Sequence, residues 1–173
     1  METTQLYRMV WEYREGWNVN TSEGGPESVQ FSYVEGVVSD GVTGRLRGVN
    51  HSRRRNDGAY LPDAHGVIEG TDGVIIFDYR GICSSYVNRK TRRTTKLMLA
   101  AEHHTEAPAY SSLNNGPMLG VGEGRLTADN RLIVVVDVMA VDWRELTGFE
   151  TARPELPGMV EIGERTFPPE FLS

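Results

Sequence analysis

Tyr60-Leu-Pro-Asp-Ala-His-Gly-Val-Ile-Glu-Gly-Thr-Asp-Gly-Val-Ile-Ile-Phe-Asp-Tyr-Arg-Gly81 reads as a β-hairpin, and it decides the fold class. Thr71-Asp72-Gly73 separates two runs of strand-forming residues, and Asp-Gly suits the left-handed backbone of a tight turn. With Asp72-Gly73 as the two-residue loop, Thr71 faces Val74, Glu69 faces Ile76, Val67 faces Asp78 and His65 faces Arg80. Side chains alternate along a strand. Asp63, His65, Glu69, Asp78 and Arg80 therefore share one face, and Ile68, Ile75, Phe77 and Tyr79 share the other. A slip of one residue would scatter this sorting.

The same period of two recurs outward from the hairpin. Leu6 to Tyr13 places Tyr7, Met9, Trp11 and Tyr13 on one face. Further strands are expected at Ser28 to Ser39, Gly44 to Asn50, Ala59 to Gly70, Val74 to Ile82, Lys96 to Glu102, Met118 to Thr127 and Arg131 to Asp142. Turn formers such as Ser39-Asp40-Gly41, Asn56-Asp57-Gly58 and Ala128-Asp129-Asn130 separate them. Asn18 to Glu27 reads as a surface loop. No segment carries a long helical pattern, and the 19 glycines suit turns, bulges and strand corners. The expected fold is all-β, a single antiparallel β-barrel with a central cavity, since closure removes exposed strand edges. Residues 1–145 would form the barrel. Residues 146–173, with Pro154, Pro157, Pro168 and Pro169, read as an extended C-terminal arm that packs its apolar residues on the barrel or on a neighbouring subunit.

A chain of 173 residues suits one domain. Its 24 acidic and 18 basic residues give a net charge of −6, which argues against a nucleic-acid or anionic-membrane surface. Arg53-Arg54-Arg55 and Lys90-Thr-Arg-Arg93 read as solvated loops. Cys83 is the single cysteine, so an intramolecular disulfide is excluded and a reducing, cytoplasmic setting is expected. The N-terminus lacks a charged lead into an apolar run, and no stretch approaches transmembrane length. Gly120-Val-Gly-Glu-Gly124 lacks the spacing and the following helix of a dinucleotide loop and reads as a strand with bulge-permitting glycines.

Several spaced elements resemble the uncharacterised small-barrel family called domain-of-unknown-function 3237. They are Gly44-Arg-Leu-Arg-Gly48, Pro62-Asp-Ala-His65, Thr71-Asp72-Gly73, Tyr110-Ser-Ser-Leu-Asn114 and Val121-Gly-Glu-Gly-Arg125. The resemblance implies a closed or nearly closed antiparallel barrel, often oligomeric, with no family-wide activity. Three departures stand out: His65 in place of a larger basic or aromatic pair, His103-His104 ahead of the Tyr110 element, and the C-terminal arm.

The hairpin also concentrates the candidate chemistry. Asp63 can orient His65 for proton transfer near neutral pH, with Asp78 as a converging counterpart. Arg80 offers a fork for a carboxylate or enolate oxygen, and Tyr60, Tyr110 and Asn114 are candidate substrate contacts. Adjacent His103 and His104 point to opposite strand faces and the cupin histidine pattern is missing, so neither a metal nor a cofactor is expected. These residues suggest an enzyme of isomerase, cyclase or lyase type. It would act by general acid and base on a small, hydrophobic or aromatic, oxygenated molecule inside the barrel. The alternatives are a non-catalytic carrier or sensor and an assembly subunit; a homo-oligomer is expected, with no nucleic-acid or membrane partner.

Overall fold

In the computed structural model, residues 3–85, 93–129, 131–141, 160–162 and 165–167 are described. The strands are β1 Thr3–Asn20, β2 Ser28–Ser39, β3 Gly44–Asn50, β4 Arg53–Arg54, β5 Tyr60–Leu61, β6 Asp63–Gly70, β7 Gly73–Ser85, β8 Arg93–His104, β9 Met118–Leu126 and β10 Leu132–Val141. A short 3₁₀ helix, Pro108–Asn114, lies between β8 and β9. Eight of these strands form an antiparallel ring in the order β1, β2, β3, β6, β7, β8, β9, β10, and β10 returns to β1 with Tyr7 opposite Val138 and Trp11 opposite Val134. The barrel is therefore closed, as the sequence predicted. At one end β4 and β5 form a small ribbon between β2 and β7, where β3 and β6 stop at His51-Ser52 and Pro62.

The face sorting of the central hairpin holds, with a corrected register. Gly70 pairs with Gly73, His65 with Asp78 and Asp63 with Arg80, so Thr71-Asp72 is the two-residue loop in place of Asp72-Gly73. Gly73 closes the turn at φ 147°, a conformation suited to glycine. The shift is two residues, one full pleat repeat, and each side chain keeps its face. β1 also outruns its expected end at Tyr13. After an irregularity between Tyr13 and Gly16 it continues to Asn20 opposite Ser28, which shortens the expected Asn18 to Glu27 loop.

The apolar face is the inside. Tyr7, Met9, Ile68, Ile75, Phe77, Tyr79, Leu99, Val136 and Val138 are all but sealed from solvent. Full burial of one such aliphatic or aromatic side chain is worth about 1.5–3 kcal/mol. The large aromatics fit because glycines face them. Gly48 and Gly66 are partners across β3 and β6, and Phe77 lies over Gly66. The Gly120-Val-Gly-Glu-Gly124 run pairs with β10 without a break and makes room beside Leu99 and Val136, while its pairing with β8 shifts register opposite Gly124 and Arg125. The outer wall carries cross-strand ion pairs, among them Arg8 with Asp137 at 2.7 Å and Arg47 with Glu69 at 2.6 Å.

Beyond the barrel, β11 Val160–Ile162 pairs antiparallel with β12 Arg165–Phe167 in a two-stranded sheet of its own. The expected packing of the C-terminal arm lies outside the described residues. Among the described residues, no helix is long and apolar enough to cross a membrane.

Gly66→Ala tests the packing inside the barrel. A Cβ there would sit 2.7 Å from Gly48 Cα and 2.8 Å from the tip of the Phe77 ring. Urea unfolding should show a loss of about 1–3 kcal/mol, the usual cost of overpacking. Val121→Thr on the exposed outer face should stay within about 0.5 kcal/mol of wild type.

Candidate functional site

Asp63, His65, Asp78 and Arg80 come together, and they do so on the outer wall. Two cross-strand pairs and two same-face steps make a four-membered ring. His65 Nε2 is 2.8 Å from Asp63 Oδ1, and His65 Nδ1 is 3.1 Å from Asp78 Oδ2. Arg80 closes the ring at 3.2 Å from Asp63 and 3.1 Å from Asp78. Basic and acidic groups alternate around it, and exposed pairs of this kind contribute about 0–1 kcal/mol each. The expectation that these residues face a substrate within the barrel is corrected. The face opposite them carries Ile68, Ile75, Phe77 and Tyr79, whose burial fills the lumen and turns the polar row outward. Asp63, His65 and Asp78 also offer ligand atoms within 4.8 Å of one another, the geometry of a cation site. Arg80 already holds both carboxylates, so a metal would have to displace its guanidinium.

Tyr110 and Asn114 lie at the opposite end of β7 from Tyr60, where the 3₁₀ helix meets the β6–β7 turn. Tyr110 Oη accepts from the Asp72 amide at 3.3 Å and donates to its carboxylate at 3.2 Å. Asn114 exchanges two 2.8 Å hydrogen bonds with the backbone of Thr105. Both side chains tie down the helix at that end and do not join Tyr60.

Tyr60 instead opens onto a cavity of about 500 Å³ at the β4–β5 end of the barrel. Leu97, Leu99, Leu126, Leu132 and Val134, from β8, β9 and β10, form its apolar side. Trp11, Tyr13, Gln30, Asn50, Ser52 and Arg54 face it from β1 to β4, and Cys83 and Tyr60 complete the rim. Arg54 stacks on the Tyr60 ring, 5.7 Å from its centre. Asn50 Nδ2 donates to Tyr13 Oη at 3.0 Å, while Asn50 Oδ1 accepts from the Asp63 amide at 3.1 Å. Burial raises the Tyr13 pKa, Asn50 and Trp11 oppose that rise, and Cys83 adds to it. Burial also pushes the Cys83 thiol up to about 11, which leaves it protonated and unreactive near neutral pH.

Deeper in the lumen lies a polar triad that sequence reasoning missed. Tyr7 and Tyr79 hydroxyls are 2.5 Å apart, and His103 Nε2 hydrogen-bonds both, at 3.2 Å to Tyr79. His103 Nδ1 is buried with no partner among the described residues. His103 points inward and His104 outward, as strand alternation requires. Burial, reinforced by His104, lowers the His103 pKa to about 4, and burial raises those of both tyrosines. Tyr7, Tyr79 and His103 lie on three strands far apart in sequence, so only the apolar strand face that each tyrosine shares with its neighbours was readable beforehand.

No family model matches the chain, and no curated protein matches it. Solved structures do share the barrel. A conserved protein of unknown function from Rhodopseudomonas palustris is 19% identical with a TM-score of 0.68, over 82% of this chain and 97% of that one. A β-barrel-like protein from Acinetobacter baumannii AYE is 16% identical with a TM-score of 0.63, over 80% and 95%. An enzyme from Penicillium herquei is 16% identical with a TM-score of 0.54, over 79% and 93%. At these identities the likeness is one of fold.

The His103 environment makes stability sensitive to acid. Its folded pKa of about 4 lies below the ordinary 6.5, so the unfolded chain binds more protons between those values. The contribution is complete above pH 6.5 and is lost as pH falls toward 4. Urea midpoints at pH 7.5 and 5 should show a wild-type loss of which about 2 kcal/mol is absent in His103→Gln. Equal pH dependence in the two proteins would count against a neutral, buried His103.

Proposed function

We propose that the barrel receives one small, largely apolar molecule with an oxygen function in the cavity at its β4–β5 end. The observation that carries this reading is the two-sided lining. Leucines and Val134 supply apolar contact, and the Tyr13–Asn50 pair supplies a fixed polar anchor. Pockets of a few hundred Å³ with few, well-placed polar groups suit single organic ligands. Membership in the domain-of-unknown-function 3237 family belongs to the same proposal, supported by the ordered sequence elements and by the barrel-shaped neighbours.

Turnover of that molecule is a second reading, favoured by the likeness to a barrel described as an enzyme. It would be proton-transfer chemistry of isomerase, cyclase or lyase type. Two sets of groups compete for the chemical role. Tyr13, Tyr60 and Arg54 face the cavity, whereas Asp63, His65 and Asp78 serve only a substrate that reaches the outer wall. A carrier returns its ligand chemically unchanged, and an enzyme does not. His65→Ala then assigns the chemistry: lost turnover places it on the outer ring, and retained turnover places it in the cavity. In an oligomer, as the sequence suggests, each barrel would hold its own molecule.

Native mass spectrometry of freshly purified protein, followed by denaturing analysis of what it releases, should find one organic molecule per barrel. Leu126→Trp, which fills the cavity from its apolar side, should weaken binding of that molecule at least tenfold with little change in thermal stability. Undiminished binding by Leu126→Trp would place the ligand elsewhere.

A further inference from the structure

The hydrogen-bond chain on the polar side of the cavity has a fixed direction. Its first link is the Asp63 backbone N–H, which can only donate, so the amide atom 3.1 Å from it is Asn50 Oδ1. The other amide atom is then Nδ2, also donor only, and it lies 3.0 Å from Tyr13 Oη. Tyr13 must accept. Asn50 thus directs a hydrogen at the Tyr13 oxygen, and no acceptor among the described residues takes Tyr13's own O–H.

The rest of that side has the same polarity. Gln30 Oε1 takes the Ser52 hydroxyl at 3.3 Å, which leaves the Gln30 amide hydrogens, and Arg54 can only donate. No carboxylate lines the cavity among the described residues. Tyr13 is half-buried and faces the cavity, and the apolar wall of leucines offers its O–H no acceptor.

We infer that the ligand presents an acceptor oxygen of carbonyl type to the Tyr13 hydroxyl, which donates its hydrogen bond into the cavity. This rests on the cavity reading above and specifies the ligand class within it. The Asn50 amide is a positioning group. It feeds a hydrogen to the phenol oxygen, sharpens the phenol as a donor and fixes the direction in which Tyr13 points its proton. For a ligand that is turned over, the same O–H is placed to stabilise negative charge developing on that oxygen.

An isosteric pair of probes tests the polarity. Isothermal titration of the full-length protein with 2-acetylnaphthalene and 2-isopropenylnaphthalene compares a ketone with the hydrocarbon in which a CH2 group replaces the carbonyl oxygen. The ketone should bind wild type at least tenfold tighter. Tyr13→Phe should abolish that preference and leave the hydrocarbon affinity within about twofold. Asn50→Asp, with Tyr13 intact, offers the phenol an acceptor and should also abolish the preference; Asn50→Gln is the neutral control that retains an amide. Equal affinity of wild type for the two probes, with both lost in Leu126→Trp, overturns the donor assignment and leaves the cavity reading standing. Failure of both probes to bind wild type overturns the cavity reading and the inference with it. Persistence of the ketone preference in folded Tyr13→Phe assigns the donor to another group and overturns the inference alone.

Discussion

Closure of β10 onto β1 is the constraint from which the rest of the barrel follows. Eight strands enclose an interior just wide enough for side chains or one small ligand, so every inward residue competes for a fixed volume. Trp11, Tyr7, Phe77 and Tyr79 are large for such a space, and the inward glycines of β3, β6 and β9 compensate for them. Phe77 and Tyr79 stack at 4.5 Å, with Phe77 directly over Gly66. Aromatic packing exhausts the volume toward the β6–β7 turn, where the 3₁₀ helix adds Tyr110 and Leu113. Toward β4 and β5, where the pairing of β3 with β6 stops, about 500 Å³ remains open.

The same constraint explains why identical residue types behave differently on the two faces. His65 sits on the outer wall between two carboxylates, balanced by Arg80 and wet by solvent. His103 sits inside with only phenol hydroxyls beside it, and burial there disfavours its charge. Polar groups within the lumen must find partners in one another, because the wall supplies none. Tyr7, Tyr79 and His103 do so among themselves, except at His103 Nδ1. Tyr13 does so through Asn50, with its own hydrogen left over.

Period-two alternation made the strands, the barrel and the grouping of Asp63, His65, Asp78 and Arg80 legible in the sequence. The turn was misplaced because Asp72-Gly73 is the stronger local signal, whereas the glycine is needed one position later, at the strand end. That error cost little, as a two-residue shift preserves faces. Which face lies inside was left open by the sequence. Alternation separates two faces without weighing them, and a dense cluster of ionisable groups invited a wet lumen. The volume of Ile68, Ile75, Phe77 and Tyr79 decides the matter, since water cannot satisfy four such side chains outside. Tyr13 was already placed on one face with Tyr7, Met9 and Trp11. What the sequence did not show was Asn50 reaching it, a contact that depends on how β3 and β6 end.

Those strand ends connect the fold to the site. Pro62 has no N–H to give a ladder, and the regular pairing of β3 with β6 stops at Asn50 opposite Ala64. Asp63 thereby has a backbone N–H without a strand partner, and the Asn50 side chain supplies the missing acceptor. The His51 amide bonds the Asp63 carbonyl at 2.8 Å and the Gln30 amide bonds the Ser52 carbonyl at 2.8 Å, so the interrupted sheet is stitched back together around the gap. An inward asparagine that repairs a backbone defect is held more rigidly than one resting on packing alone, and its amide is oriented by a donor that cannot change. The irregularity that opens the barrel at this end therefore also sets the polarity of the opening, from Asp63 through Asn50 to the Tyr13 hydroxyl.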